Sequence, residues 1–465
     1  MTRAPRTLLT ALLPALLAAL LGVGLLSASA TAAPAPTSFT ASVTSAREGE
    51  TATLTWTLRD AAGSEVVGAQ VQVERRRGGT WVPLATVTTT GEGPYLLRVL
   101  ALRDPEENRL RLRWPGDAER GAARSEVSVP LVRRRAAVTL SGPQRLVDER
   151  TATLRVRWTA DGAPVAGTAV LQGRTGGGAW REAGEVRTDA RGRGVIAVRP
   201  RVDTRYRVRT PQLPWLAGAR SRVLAVDNVP PGRVVRLPAA APRPRITLPP
   251  QARATGEGPN LRITPIPDGV WRSMVGRSWR VGCPVGRAGL RLIRVNYWGY
   301  DGYRYRGEVV GATSAAGAMG AALAAMHRQR LPIRAMYRVD RFGFSRRVNG
   351  GDDHASMAAG NTSAFNCRWV VNRPGVRSPH SYGRSLDVNP WENPYRSATG
   401  LVPNSWWQPR SHPLVAWRSG SHRVVRLMRT HGLAWTYGTG DNHHFDVRQA
   451  GRVVRYRGCL RVHCD

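Results

Sequence analysis

The chain has 465 residues, 42% of them hydrophobic, and a formal net charge of +37 carried by arginine without any lysine. That length is too great for one hydrophobic core and leads to about three domains. Beyond the N-terminus no stretch is long and apolar enough to cross a bilayer as a helix.

Residues 1–32 read as an export signal. Arg3 and Arg6 precede a nearly all-apolar run over residues 8–26, and Ala30-Thr31-Ala32 fits a small-residue cleavage site. A retained membrane anchor is the rival reading of that run. Both place the protein outside the cytoplasm, where a polyanion met by so basic a chain is a wall polymer or a membrane surface; no specific nucleic acid is expected. Arginine-rich coding in a GC-rich genome is the bland alternative.

Residues 37–228 contain one module used twice. Thr51-Ala-Thr-Leu54 recurs as Thr151-Ala-Thr-Leu154, Gly78-Gly-Thr-Trp81 as Gly177-Gly-Ala-Trp180, and Ala123-Arg-Ser-Glu-Val127 as Ala219-Arg-Ser-Arg-Val223. A period near 100 residues matches a whole domain, not a solenoid repeat. Within each copy apolar and polar residues alternate, as in Thr53-Leu54-Thr55-Trp56-Thr57-Leu58, and turn signals such as Asp161-Gly162 separate the pieces. The pattern predicts two all-β, immunoglobulin-like sandwiches, at 37–132 and 136–228, neither holding a cysteine. No clustered histidines or carboxylates give them a catalytic role.

Residues 229–269 are rich in Pro, Ala and Arg and read as an extended, semi-rigid linker. The remainder, 270–465, reads as one α+β domain. A strand is expected at Leu290–Trp298. A helix should begin at Thr313 or Ser314, with Met319, Leu323 and Met326 on one face, and end before Leu331-Pro332. Another strand is expected at 333–339, a second helix around 412–431 with Gly432 as its stop, and extended chain from Leu433 to Trp435. Four cysteines lie in this part; in an oxidising compartment they predict two disulfides, Cys283–Cys367 and Cys459–Cys464 being the favoured pairs.

The chemistry is concentrated in Ser378-Pro-His-Ser-Tyr-Gly-Arg-Ser-Leu-Asp-Val-Asn389 and Asp441-Asn-His-His-Phe445. Gly383 permits a tight turn, after which Ser385, Asp387 and Asn389 share one strand face. His380, Asp387 and His444 are two imidazoles and a carboxylate able to hold one zinc ion, while Asp441 is an acid left over to act as base. Three ligands and a spare acid describe a catalytic metal site better than a closed structural one. His443 competes for the ligand role, although strand alternation points it away from His444. The same alternation puts Asp446 beside His444, where it can orient the ring. Asp352-Asp353-His354 reads as a solvated loop, and Trp406-Trp407 as either groove lining or core.

These motifs resemble those of the D-alanyl-D-alanine carboxypeptidase (VanY-like) family of zinc peptidases, which shares its fold with the hedgehog signalling domain. The family pattern Ser-x-His-x-x-Gly-x-Ala-x-Asp stands here as Ser378-Pro-His380-Ser-Tyr-Gly383-Arg-Ser385-Leu-Asp387, and Glu/Asp-x-x-His as Asp441-Asn-His-His444. The likeness covers residues 290–447 and leaves out the repeats. Ser385 replaces the usual alanine, and Asp441 stands where glutamate is frequent. The resemblance implies a hedgehog/DD-peptidase fold, one zinc ion held by His380, Asp387 and His444, and Asp441 as catalytic base. It also implies Arg368 as the group that meets the substrate's carbonyl or carboxylate, and Ser378 as a residue near the bound peptide. The expected function is that of a secreted or wall-associated peptidase hydrolysing D-amino-acid-containing peptidoglycan stem peptides, with carboxypeptidase and endopeptidase action both open. The alternatives are a non-catalytic wall-binding protein with a structural zinc site, and a polyanion binder driven by charge.

Overall fold

The computed structural model describes residues 33–397 and 400–448. The export signal and the Cys459–Cys464 pairing fall outside them. The chain divides into two compact units: residues up to 136 with Gln212–Gly218, and residues 137–211 with 219 onward.

In the first unit, Ser38–Val43, Thr51–Arg59 and Tyr95–Leu100 form one sheet, and Thr80–Thr88, Gln70–Arg77, Arg109–Trp114 and Ala123–Ser128 form another. Every second side chain of Thr51–Arg59 is buried, the signature of a strand with one face on a core. Leu54, Trp56 and Leu58 meet Val71, Val73, Leu110 and Leu112 between the sheets. The result is a β-sandwich.

The second unit starts with another set of paired strands. Ala152–Ala160 pairs with Arg193–Val198, and Gly167–Thr175 lies between Arg181–Thr188 and Thr204–Arg209. Leu154, Val156, Trp158, Leu171 and Val208 are buried by the same alternation.

Residues 229–269, read as a linker, lie along the C-terminal part of this unit. The Trp391 indole N–H donates to the Pro242 carbonyl at 2.7 Å. Gln251 donates to the Met336 carbonyl and accepts from the Met336 N–H and the Tyr297 hydroxyl. Its final piece, Arg262–Pro265, becomes a strand beside Leu290–Trp298, which also pairs with Arg304–Ala312.

Helix Thr313–Arg328 packs on that sheet, burying Met319, Leu323 and Met326 with Ile293, Val295 and Val309. Cys283 and Cys367 are joined, as favoured, with Cα atoms 6.0 Å apart. Among the described residues no helix is long and apolar enough to cross a membrane.

Two expected elements differ. Residues 333–339 form no strand beyond an isolated bridge from Ala335 to Asn361. Side-chain amides take over the backbone there: Asn389, Gln251 and Asn361 accept from the N–H groups of Arg334, Met336 and Tyr337, so no ladder is left to form. The last helix spans only Arg423–Thr430, because the His422 ring caps it by accepting from the Val424 N–H. Gly432, at φ +81°, follows its end as expected.

Candidate active site

The site is assembled from one turn and two strands. Ser378 caps a short 3-10 turn over Pro379–Tyr382, its hydroxyl accepting from the His380 N–H at 3.4 Å. Gly383 closes the turn at φ +66°, and a Cβ there would sit 2.7 Å from the Ala312 nitrogen. Only glycine fits both demands. The chain then enters Ser385–Asp387, which pairs antiparallel with His444–Val447 in a register that sets Asp387 opposite His444 and Ser385 opposite Asp446.

His380, Asp387 and His444 converge, and all three are buried. His380 Nε2 lies 3.2 Å from His444 Nδ1 and 3.1 Å from Asp387 Oδ2, and His444 Nδ1 lies 3.2 Å from Asp387 Oδ1. A four-coordinate ion with bonds of about 2.0 Å separates its ligands by about 3.3 Å. The triangle has that size. The outer partners of the rings assign the tautomers. His380 Nδ1 donates to the Ala364 carbonyl at 2.7 Å, and His444 Nε2 donates to Asp446 Oδ1 at 3.0 Å. Each ring therefore turns a lone pair toward the Asp387 carboxylate. Three electron-rich atoms this close, in a dry site, repel unless a cation lies among them. The donor set fits a metal ion.

Asp446 is itself held by the Ser385 hydroxyl at 2.7 Å and the Thr436 hydroxyl at 2.6 Å. Burial pushes its carboxyl up, but the hydrogen bonds it accepts from His444, Ser385 and Thr436 outweigh this and hold it below the ordinary value. It remains an anion able to fix the His444 ring.

Asp441 is buried beside the cluster, its Oδ1 lying 3.5 Å from His443 Nε2. The same His443 nitrogen is 3.9 Å from Asp387 Oδ2, and His443 Nδ1 donates to the Asn393 carbonyl at 2.6 Å. His443 thus faces the cluster, contrary to the alternation argument. The strand begins only at His444, so period two does not govern the residue before it. The signal that places His443 is a carbonyl 50 residues away, invisible in local sequence.

Arg368 is fully buried and its Nη2 meets Asp353 Oδ2 at 3.0 Å. Asp352-Asp353-His354, expected as a solvated loop, is instead the start of a short helix. Asp352 caps it by accepting from the Ala355 N–H at 3.0 Å, and Asp353 is buried against the arginine. Trp407 belongs to a core with Trp391 and Ala416, while Trp406 is half-buried against it.

Comparison with known proteins adds one functional link. A family model described as D-alanyl-D-alanine carboxypeptidase matches residues 372–447. That segment holds Ser378, His380, Asp387, Asp441 and His444, and begins after Arg368. No curated protein matches the chain. Solved structures it resembles include Escherichia coli alpha-2-macroglobulin activated by porcine elastase, at 11% identity and a TM-score of 0.18 over 54% of this chain and 24% of that one. A tetra-tandem repeat in the extending region of a large adhesion protein gives 13% identity and a TM-score of 0.30, over 60% of this chain and 74% of that one. Invasin, a bacterial integrin-binding protein, gives 12% and 0.25, over 57% and 47%. The chain spans about a quarter of the macroglobulin.

Proposed function

We propose that the C-terminal part of this chain is an exported zinc peptidase of hedgehog/DD-peptidase type, acting on D-amino-acid-containing stem peptides of peptidoglycan. The observation that carries this reading is the convergence of His380, Asp387 and His444 inside the segment matched by the carboxypeptidase family model. Those three residues would hold the ion, and their two-nitrogen, one-oxygen set suits zinc. When bound, zinc supplies a Lewis acid that polarises a peptide carbonyl and makes water a usable nucleophile near neutral pH.

The protein's own groups do the rest. Asp441, beside the cluster, takes the proton of the attacking water on a carboxylate oxygen and passes it to the leaving amine. Ser378 holds the turn that carries His380 and lies near the peptide. Arg368, whose Nη2 is held by Asp353, would meet the substrate's carboxylate or the developing oxyanion with its remaining N–H groups. The near-complete burial of the metal triad and Asp441 supports a second reading, a non-catalytic wall-binding protein with a structural zinc site.

One experiment separates the two. Zinc-loaded protein is incubated with a defined stem peptide ending in D-alanyl-D-alanine, and the products are identified by mass with and without chelator. Hydrolysis that the chelator abolishes, and that Asp441→Asn lowers by about 10³-fold with zinc retained, is the expected result. Equal activity in Asp441→Asn rejects Asp441 as the base, and absence of any product favours the structural site.

A further inference from the structure

The two sandwich copies carry the same arginine-covered tryptophan, but only the first neutralises its arginines with acids. In the first copy, the guanidiniums of Arg76, Arg109 and Arg111 lie over the Trp81 ring at 5.9, 6.0 and 4.5 Å. Each has a carboxylate: Arg111 pairs with Glu74, Arg76 with Glu106 at 3.5 Å, and Arg109 with Glu106 at 3.3 Å and Glu126 at 2.8 Å. In the second copy Trp180 takes the place of Trp81, with Arg174 at 4.7 Å and Arg207 at 4.2 Å.

The acids have been exchanged. Glu74 opposes Arg111 in the first copy, whereas Gln172 opposes Arg207 in the second and accepts its Nε–H at 2.9 Å. Glu126 opposes Arg111 on the other side, and the repeat puts Arg222 at that position. The flanking pair corresponds too: Arg113 opposes Arg124, and Arg209 bridges to Arg220.

Along Thr204–Arg209 the buried Tyr206 and Val208 alternate with Arg205, Arg207 and Arg209. The three arginines therefore share the outer face at steps of about 6.6 Å. With Arg174, Arg220 and Arg222 they make six guanidiniums, none of which has a carboxylate at ion-pair distance among the described residues. Glu182, Glu185, Asp203 and Asp227 lie on neighbouring positions and pair with none of them. Burial, then the charges of Arg220, Arg174 and Arg209, push the Arg207 guanidinium below its ordinary value, as unrelieved crowding of like charges must.

We propose that this face of the second sandwich binds a phosphodiester-linked anionic polymer of the cell wall, and that the self-neutralised face of the first copy does not. Planar guanidiniums in a row suit phosphate oxygens. A single-stranded nucleic acid also needs open aromatic rings for its bases, and Trp180 lies half-buried beneath two arginines. The envelope as the place of action rests on the peptidase reading above, and binding there would keep the hydrolase on its substrate.

The test is sedimentation of the full-length, zinc-loaded protein with purified walls, either intact or stripped of phosphodiester polymer by hydrogen fluoride. Gln172→Glu with Arg222→Glu restores the first copy's acids, and Arg205→Gln with Arg209→Gln removes two exposed charges should the first pair fail to fold. Binding to intact walls that falls steeply with salt, and about tenfold or more in either double variant, is expected; stripped walls should bind no better than the variants. Equal sedimentation of variants and wild type, equal binding to stripped walls, or preference for an oligonucleotide or an anionic vesicle overturns the proposal. Hydrolysis of a soluble stem peptide is measured in parallel and should be unchanged in both variants. If it is absent in wild type too, the peptidase reading fails on its own, whatever the sedimentation shows.

Discussion

At the scale of single residues the site is organised by what stands behind each metal-facing atom. Asp446 accepts a hydrogen bond from the outer N–H of His444, and the Ser385 and Thr436 hydroxyls hold Asp446 in turn. Without that carboxylate the ring can rotate or adopt the other tautomer. Asp446→Ala should weaken metal binding about 10–100-fold, measured by chelator competition, with the fold intact; an unchanged affinity would show that the contact orients nothing. The position of Asp446 was legible from strand alternation alone, since His444 and Asp446 are two apart. His443 was not, because it precedes the strand and is aimed by the Asn393 carbonyl. Nor does sequence reveal that Arg368 is matched by Asp353, as a charge on a loop can meet any of many partners.

At the scale of elements, one turn sets the geometry of the centre. Gly383 lets the chain reverse between His380 and Asp387, and its carbonyl accepts from the Ala312 N–H at 2.7 Å, docking the turn where the sheet meets helix Thr313–Arg328. Gly383→Ala meets both a left-handed backbone and the Ala312 nitrogen. It should destabilise the protein by about 2 kcal/mol, read by urea unfolding, and lower metal affinity with it. Wild-type stability in that variant would mean that the turn relaxes freely. The turn could be expected from the glycine, and the long helix from its apolar spacing. The missing strand at 333–339 could not, because its backbone is occupied by Gln251, Asn361 and Asn389 from elsewhere in the chain.

At the scale of the second unit, its sandwich is clamped to the C-terminal part by a charged cluster. Arg304 donates from Nη2 and Nε to the two Glu149 oxygens at 2.7 and 3.1 Å, and its Nη1 lies 3.5 Å from His327 Nε2. Burial, followed by the charges of Arg304, Arg328 and Arg330, pushes the His327 imidazole down to about 4 from 6.5. The folded state thus prefers neutral His327, while the unfolded chain takes up a proton at higher pH. The associated stability is complete above about pH 6.5, falls progressively as the pH drops from there and is gone below about 4, on the order of 2 kcal/mol in all once partial exposure is discounted. Unfolding measured between pH 7 and 4 should show this slope, and His327→Gln should flatten it; an unaltered slope would assign it to other groups. Sequence by itself determined the repeated strands, the glycine turn, the long helix and the residue types able to bind a metal, because alternation, helical spacing and backbone permission are local properties. Only the tertiary structure decided that His380 and His444, 64 positions apart, share one ion-sized gap, and that the arginines of the two sandwich copies differ in their partners. Those outcomes depend on strand register and on which distant side chains come into reach, and no local pattern specifies either.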